Sequence, residues 1–445
     1  MFVGGDKMSL KRKIMENLLA WKNNENKKCL LIVGARQVGK SFIVKEFSKL
    51  YKRVIYINFE ESPEMKGFFD GSLNSSEIID KMRLHIKFKD INFQNFVDDK
   101  LLLIFDEIQA CPAAITSLKF FTQSKEYDVI GTGSLLGVNL KRVSSYPVGY
   151  VEQINMYQLD FEEFLWASGI KDTISLYDLV ESKSNIPDFV HNQYMHLFKQ
   201  YMIVGGMPEI VSNFFKGKSY STILNMQRQI VEAYKMDIAK YSSDNKSKLK
   251  TKECFLSIPF QLAKDNKKFQ YKYVSTGGRA IEYDACLDWL IDAGIIYKCN
   301  AVSNLEFPLQ GYSIPNIFKI YFFDTGLLVS MLDEGTSDKI MSGDLKIYKG
   351  AIYENVVASI LKMSGRNLYY YTKDSKWEID FILNIGGEII PLEIKSSDNT
   401  RAKSIDYLIR NLDLKYAIKS SAINQNFDNE QKIIYMPLYL LPFMK

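Results

Sequence analysis

At 445 residues, 47% of them hydrophobic, the chain can bury two to four cores at the usual domain size, and its net charge of +5 is too small for a general nucleic-acid coat, so any such surface is a local patch. Five cysteines without a paired short spacing and only three histidines argue against a structural zinc and for a reduced, cytoplasmic setting. The N-terminal stretch lacks the apolar core of a signal peptide and no run is long enough to span a bilayer, so no membrane partner is expected.

The first strong motif is "CLLIVGARQVGKSFIVKEF". Its apolar run at residues 29–33 reads as a buried strand, the glycines as a loop and residues 40–50 as a helix. Gly34, Gly39, Lys40 and Ser41 satisfy G-x-x-x-x-G-K-[ST], the pattern of a phosphate-binding loop. Such a loop wraps phosphates with backbone N–H groups, here from Gly34, Ala35, Arg36, Gln37, Val38, Gly39, Lys40, Ser41 and Phe42. Lys40 reaches the terminal phosphates and the Ser41 hydroxyl goes to magnesium. Next, "KLLLIFDEIQ" is an apolar strand at residues 101–105 that ends in an acidic pair. Asp106 would hold magnesium through water and Glu107 would polarise the attacking water. "YDVIGTGSLLG" repeats the form, with a strand ending near Thr132 and Ser134, where Ser134 can sense the terminal phosphate. No guanine-reading aspartate motif follows a suitable strand, so ATP is the expected nucleotide.

Taken in order, "GARQVGKS", "LLLIFDEIQ", "VIGTGS", "YQLDFEEFLWASG" and "YMIVGGMPEIV" resemble the AAA-type ATPases of prokaryotes that carry a C-terminal domain of unknown function. In related signal-transduction ATPases a Gly-x-Pro segment packs on adenine, which here implies Gly206, Met207 and Pro208; the same residues also make a good helix-start turn. Many relatives carry a Gly-Arg pair after the sensing strand. This chain has Gly149 and Tyr150 there, leaving Arg36 and Arg142 as candidates for the charge-stabilising arginine. An arginine from a second copy is the other source, which would make the protein a homo-oligomer.

Residues 169–245 read as a helical lid, with apolar residues at three- and four-residue intervals. Residues 246–335 read as helix, turn, helix and strand, similar to a winged helix. Lys246, Lys248, Lys250, Lys252, Lys267, Lys268, Lys272 and Arg279 make this the most basic stretch. It suits DNA phosphates, or it serves only to keep the domain soluble. A loop at residues 333–343 is the expected linker.

In "WEIDFILNIGGEIIPLEIKSS" strand alternation puts Glu378 and Asp380 on one face and Glu393 and Lys395 on one face. A tight turn at Gly386 and Gly387 pairs Ile385 with Glu388 and sets Asp380 opposite Glu393. Two carboxylates so placed repel unless a cation lies between them. In "KGAIYENVVASILKM" a third acid, Glu354, sits amid apolar residues of a helix. Glu354, Asp380, Glu393 and Lys395 match in order and spacing the restriction-endonuclease-like, PD-(D/E)XK, superfamily. The resemblance implies that the acids bind magnesium and that the lysine activates water and steadies charge on phosphate.

The expected fold is thus α/β throughout its catalytic parts. Residues 1–168 form a three-layer P-loop AAA-type core, 169–245 the lid, 246–335 the winged-helix-like module and 336–445 a nuclease-like α/β domain. ATP and Mg2+ are the expected cofactors and nucleic acid, DNA before RNA, the expected partner. The competing expectation is a non-cutting signalling ATPase whose terminal domain docks a protein.

Overall fold

The computed structural model describes residues 10–94, 100–134, 147–241, 245–264, 267–374, 377–396, 403–412 and 414–444. The chain divides into two compact units, residues 12–158 with 292–294, and residues 159–291 and 295–445 with those before Arg12. Arg142 lies outside the described residues.

The front unit is built on strands β1 (Cys29–Gly34), β2 (Val54–Asn58), β3 (Leu102–Asp106), β4 (Asp128–Ser134) and β5 (Val151–Asn155). They form one sheet in the order β2-β3-β4-β1-β5, with every pairing parallel. All residues of β1 and β3 are buried, as strands covered on both faces must be, which explains why they read as unbroken apolar runs. Ile55, Ile57, Phe59, Leu103, Phe105 and Phe121 pack into the core beneath. Because all five strands run the same way, Gly34, Asn58, Asp106 and Ser134 finish at one edge of the sheet, the edge at which open α/β sheets bind ligands. The helix after the loop, α1 (Lys40–Ser48), stops short of the expected residue 50. The strand expected at residues 101–105 shifts by one, so that Asp106 pairs in register with Asn58.

The rear unit begins with the helices Phe161–Ala167, Ile174–Ser182 and Asp188–Val204, followed by α2 (Pro208–Phe215) and Tyr220–Tyr241. Then come α3 (Asn245–Leu262), α4 (Ala280–Asp292) and an antiparallel hairpin of β6 (Ile296–Val302) and β7 (Ser313–Phe322). A short helix α5 (Thr325–Ser330) and the long α6 (Lys346–Met363) lead into β8 (Tyr369–Lys373) and β9 (Trp377–Ile379). The remaining strands are β10 (Phe381–Ile385), β11 (Glu388–Ile394), β12 (Ala417–Ser421), β13 (Asn426–Asp428) and β14 (Ile433–Pro437). Two sheets result, β7-β6-β8-β9 and β10-β11-β12-β14-β13.

Three features differ from the sequence reading. Two helices and a hairpin do follow one another, but β6 also pairs in parallel with β8, so residues on both sides of position 336 share one sheet. Period and propensity reveal a strand but not its partner. The expected linker contains a helix, Thr336–Ser342, capped at both ends by glycines with positive φ. The strand expected to carry Glu378 through Phe381 breaks at Asp380, with β9 and β10 in different sheets. No helix among the described residues is long and apolar enough to cross a membrane.

Candidate functional site

In the front unit the phosphate loop takes its shape from two positions of positive φ, Gln37 at 63° and Gly39 at 98°. Gly34 tolerates no side chain, since a Cβ there would lie 2.1 Å from the carbonyl oxygen of Met156. That carbonyl belongs to the chain leaving β5, whose Met156 N–H donates to Val33 O at 2.7 Å. Arg12, a buried residue the sequence reading passed over, braces the loop from outside, donating to Val38 O at 3.0 Å and Tyr157 O at 2.7 Å. Val38 and Ala35 are buried, Arg36, Gly39 and Ser41 half-buried, and Gln37 and Phe42 exposed. Lys40 is buried, its Nζ donating to the carbonyls of Gly34 at 3.1 Å and Ala35 at 2.8 Å. Burial pushes this ammonium down from 10.5 to about 8, against the pull of Glu107 and Asp106.

Asp106 is fully buried at the end of β3 and is held by the hydroxyls of Tyr56 and Thr132, by Asn58 Nδ2 at 3.4 Å and by the Glu107 N–H at 3.1 Å. Tyr56 and Asn58 were not singled out from sequence, and Thr132 was named there only as a strand end beside Ser134. Asn58 was detectable as the polar end of an apolar strand, but nothing local placed β2 beside β3. Thr132 is committed to Asp106, while Ser134 stands in register with Gly34 across the β1–β4 pairing. Glu107 has φ 51°, a left-handed conformation that glutamate rarely adopts, and its carboxylate accepts from Gln109. Ser41 and Asp106 suit a magnesium ion by donor type. Asp106 would act through water, because its own oxygens already accept four donors.

In the rear unit, "GGMP" is seated on Asp324. The Asp324 carboxylate accepts from Gly206 N–H at 2.7 Å and caps α5 through Leu327 N–H at 2.9 Å. Burial pushes its pKa up to about 6. Gly205 and Gly326 are required here, since a Cβ on either would fall within 2.5 Å of Asp324 or of the Gly205 nitrogen. Pro208 opens α2 in the first turn, the helix-start role that its fixed φ suits.

The hairpin of β10 and β11 has the anticipated register, Ile385 with Glu388 and Phe381 with Leu392, and both turn glycines have positive φ. Asp380 and Glu393 are the next residues outward from that pairing, and the charge of Glu393 acts to raise Asp380. Asp380 is held well above the ordinary carboxylate range by burial and by Glu354 and Glu393. Burial likewise raises Glu393, against the pull of Lys395. Its Oε1 accepts from Lys395 Nζ at 2.7 Å, while its buried Oε2 has no hydrogen-bond partner. The other oxygen pair is better supplied. Asp380 Oδ2 accepts the Ile394 N–H at 2.9 Å.

Glu354 reaches the cluster from α6, which is stitched to the end of β7 by Asn355, paired with the backbone of Phe322, and by Ser359, donating to Phe323 O at 2.7 Å. Its carboxylate is bound by Lys267 and by the Tyr321 hydroxyl at 3.0 Å. Burial acts to raise this acid, but Lys267 and Lys319 hold it below its ordinary value. Lys319 lies on β7 two residues before Tyr321, hence on the same face, and is 1% exposed. A single lysine in "FKIYFF" was the available signal for it. Among the described residues no group of three or more Asp, Glu, His or Cys side chains stands at metal-holding spacing. The acids converge through lysines and not on a shared point.

The basic stretch is thinner than its composition implies. Lys267 is committed to Glu354, and Lys250 pairs with Glu282 at 3.4 Å. Lys246, Lys252 and Arg279 are exposed, Lys248 and Lys268 half-buried, and Lys272 lies over the Tyr273 ring at 5.1 Å.

Family models match three parts of the chain: the AAA domain at residues 26–165, the Domain of unknown function (DUF8612) at 195–338 and the Domain of unknown function (DUF4143) at 349–441. With the loop and strand ends described above, residues 26–165 are an AAA-type P-loop ATPase domain. No curated protein matches the chain. Among solved structures the chain is similar to a Walker-type ATPase of Pyrococcus abyssi, at 13% identity over 73% of this chain and 97% of that one, TM-score 0.42. It is similar also to the ORC1 protein of Aeropyrum pernix in complex with DNA, at 11% identity over 75% and 91%, TM-score 0.29. A third is AMPPCP-bound DnaA from Aquifex aeolicus, at 13% identity over 65% and 88%, TM-score 0.28.

Proposed function

We propose that the front domain binds and hydrolyses ATP and that the rear unit carries a magnesium-dependent site for cutting nucleic acid, DNA before RNA. For ATP the backbone from Gly34 to Phe42 wraps the phosphates and Lys40 gives its charge to them. Ser134 lies beside the loop to contact the terminal phosphate, and Glu107 takes the proton of the attacking water. Magnesium held by Ser41 and Asp106 would neutralise charge on the phosphates.

The observation that carries the second half is the buried Glu393 Oε2, which has no partner and belongs to an acid facing Asp380. An orphaned carboxylate oxygen inside a protein is costly, and a divalent ion satisfies it. Asp380 and Glu393 would hold that ion, with Glu354 completing the set, and it would polarise a phosphate oxygen. Lys395, poised on Glu393, orients the water and steadies charge developing on the phosphate. The exposed Lys246, Lys252 and Arg279 suit the polymer's phosphates.

A second reading has its own support. The lysines among the acids favour a non-cutting ATPase whose terminal domain docks a protein. Incubating DNA or RNA with Mg2+ or Mn2+, with and without ATP, separates the two. Cleavage by the wild type that is lost in Asp380→Ala and Lys395→Ala supports the nuclease, and activity unchanged in both removes this cutting site. No cleavage by any protein leaves the docking reading. Glu107→Gln is expected to keep ATP binding and to lose turnover by about a hundredfold or more.

A further inference from the structure

We infer that the Lys319 ammonium is the resident cation of this carboxylate cluster, and that a divalent ion enters only by displacing it. The inference rests on the metal-binding reading of the rear unit. Lys319 Nζ lies 2.8 Å from Glu378 Oε1, 3.5 Å from Asp380 Oδ1 and 3.8 Å from Glu354 Oε2. These acids come from β9, from the bend after it and from α6. A buried lysine this far from water keeps its proton only because negative groups surround it, and these three do so.

The conflict with a metal is local to one atom. Asp380 Oδ2 is committed to the Ile394 N–H, so Oδ1 is the oxygen a metal would take, and Oδ1 is the oxygen Lys319 holds. Two cations on one carboxylate oxygen repel, so one must leave. Lys319 can leave without unfolding its strand. The β7 backbone is pinned by β6, while the four-carbon stem is flexible; where it stands, the ammonium also lies over the Tyr370 ring, 4.9 Å from its centroid. Charge counting agrees. With all four acids ionised, as metal ligands must be, Lys267, Lys319 and Lys395 face Glu354, Glu378, Asp380 and Glu393, one positive charge short of balance. A divalent ion added beside all three lysines would overshoot, and one that takes the place of Lys319 restores neutrality.

The test is Mn2+ binding to the full chain without nucleotide, read by the electron-spin signal of free Mn2+. The site is counted as the binding that Asp380→Asn abolishes. Lys319→Met is expected to bind Mn2+ at least tenfold more tightly than wild type, and to melt at lower temperature until Mn2+ is added. Equal or weaker binding with an intact circular-dichroism spectrum overturns the inference. Should Lys319→Met not fold, Glu378→Gln decides, because it removes the closest anchor of the ammonium from a half-exposed position. Tighter binding in it supports the displacement and unchanged or weaker binding overturns it. Mn2+ binding in the wild type that ignores both substitutions sinks the lysine's role and spares the metal site. Binding in none of the proteins sinks the metal reading itself.

Discussion

Replacing Lys40 with methionine removes a pH-dependent penalty from the nucleotide-free front domain. In the unfolded chain a lysine keeps its proton up to 10.5, while the buried Lys40 gives it up at about 8. That difference corresponds to about 3 kcal/mol at about 1.4 kcal/mol per pKa step. The sign follows from proton counting. Between pH 8 and 10.5 the unfolded state binds more protons than the folded one, so stability rises with pH across that window. Below pH 8 the whole penalty is present and flat. The methionine variant has no such group, so the wild type should gain up to about 3 kcal/mol on it across the window. The variant also strips the carbonyls of Gly34 and Ala35 of their donor, but that cost is independent of pH and shifts only the baseline. Urea unfolding of both proteins from pH 7 to 10 measures the difference. ATP should erase it, since its phosphates hold the proton on Lys40. Parallel stability curves for the two proteins without ATP would refute the reasoning.

Gly34→Ala should abolish ATP binding and lower stability by about 1–3 kcal/mol, because the new methyl must push away the Met156 carbonyl; a variant that binds ATP normally, by calorimetry, would contradict this. Asp324→Ala leaves the buried amides of Gly206 and Leu327 unpaired and should lower stability by about 2–4 kcal/mol, seen as an early melting transition of the rear unit. An unchanged transition would mean that water replaces the carboxylate. Thr132→Val keeps the shape of the β4 terminus and removes one donor from Asp106, so ATP affinity should hold while turnover falls by about tenfold. Equal turnover would assign Thr132 to packing alone.

Local pattern determined a good deal. The loop from Gly34 to Ser41, the acid at a strand end and the register of the Gly386–Gly387 hairpin all follow from short-range rules. Glycine is needed where backbone meets phosphate or turns with positive φ, strands alternate every two residues, and a two-residue turn admits one pairing. These depend on neighbours within about a dozen positions, so the chain alone carries them. Partnership between distant segments was another matter. That Tyr56, Asn58 and Thr132 hold Asp106 depends on the order β2-β3-β4, and that β6 lies beside β8 joins two stretches that pattern alone separates. Lys319 shows the same limit. A lone charge in an apolar strand announces a buried partner, but which acids surround it was decided only when β7, β9 and α6 packed together, because burial and Coulomb attraction act through space and not along the sequence.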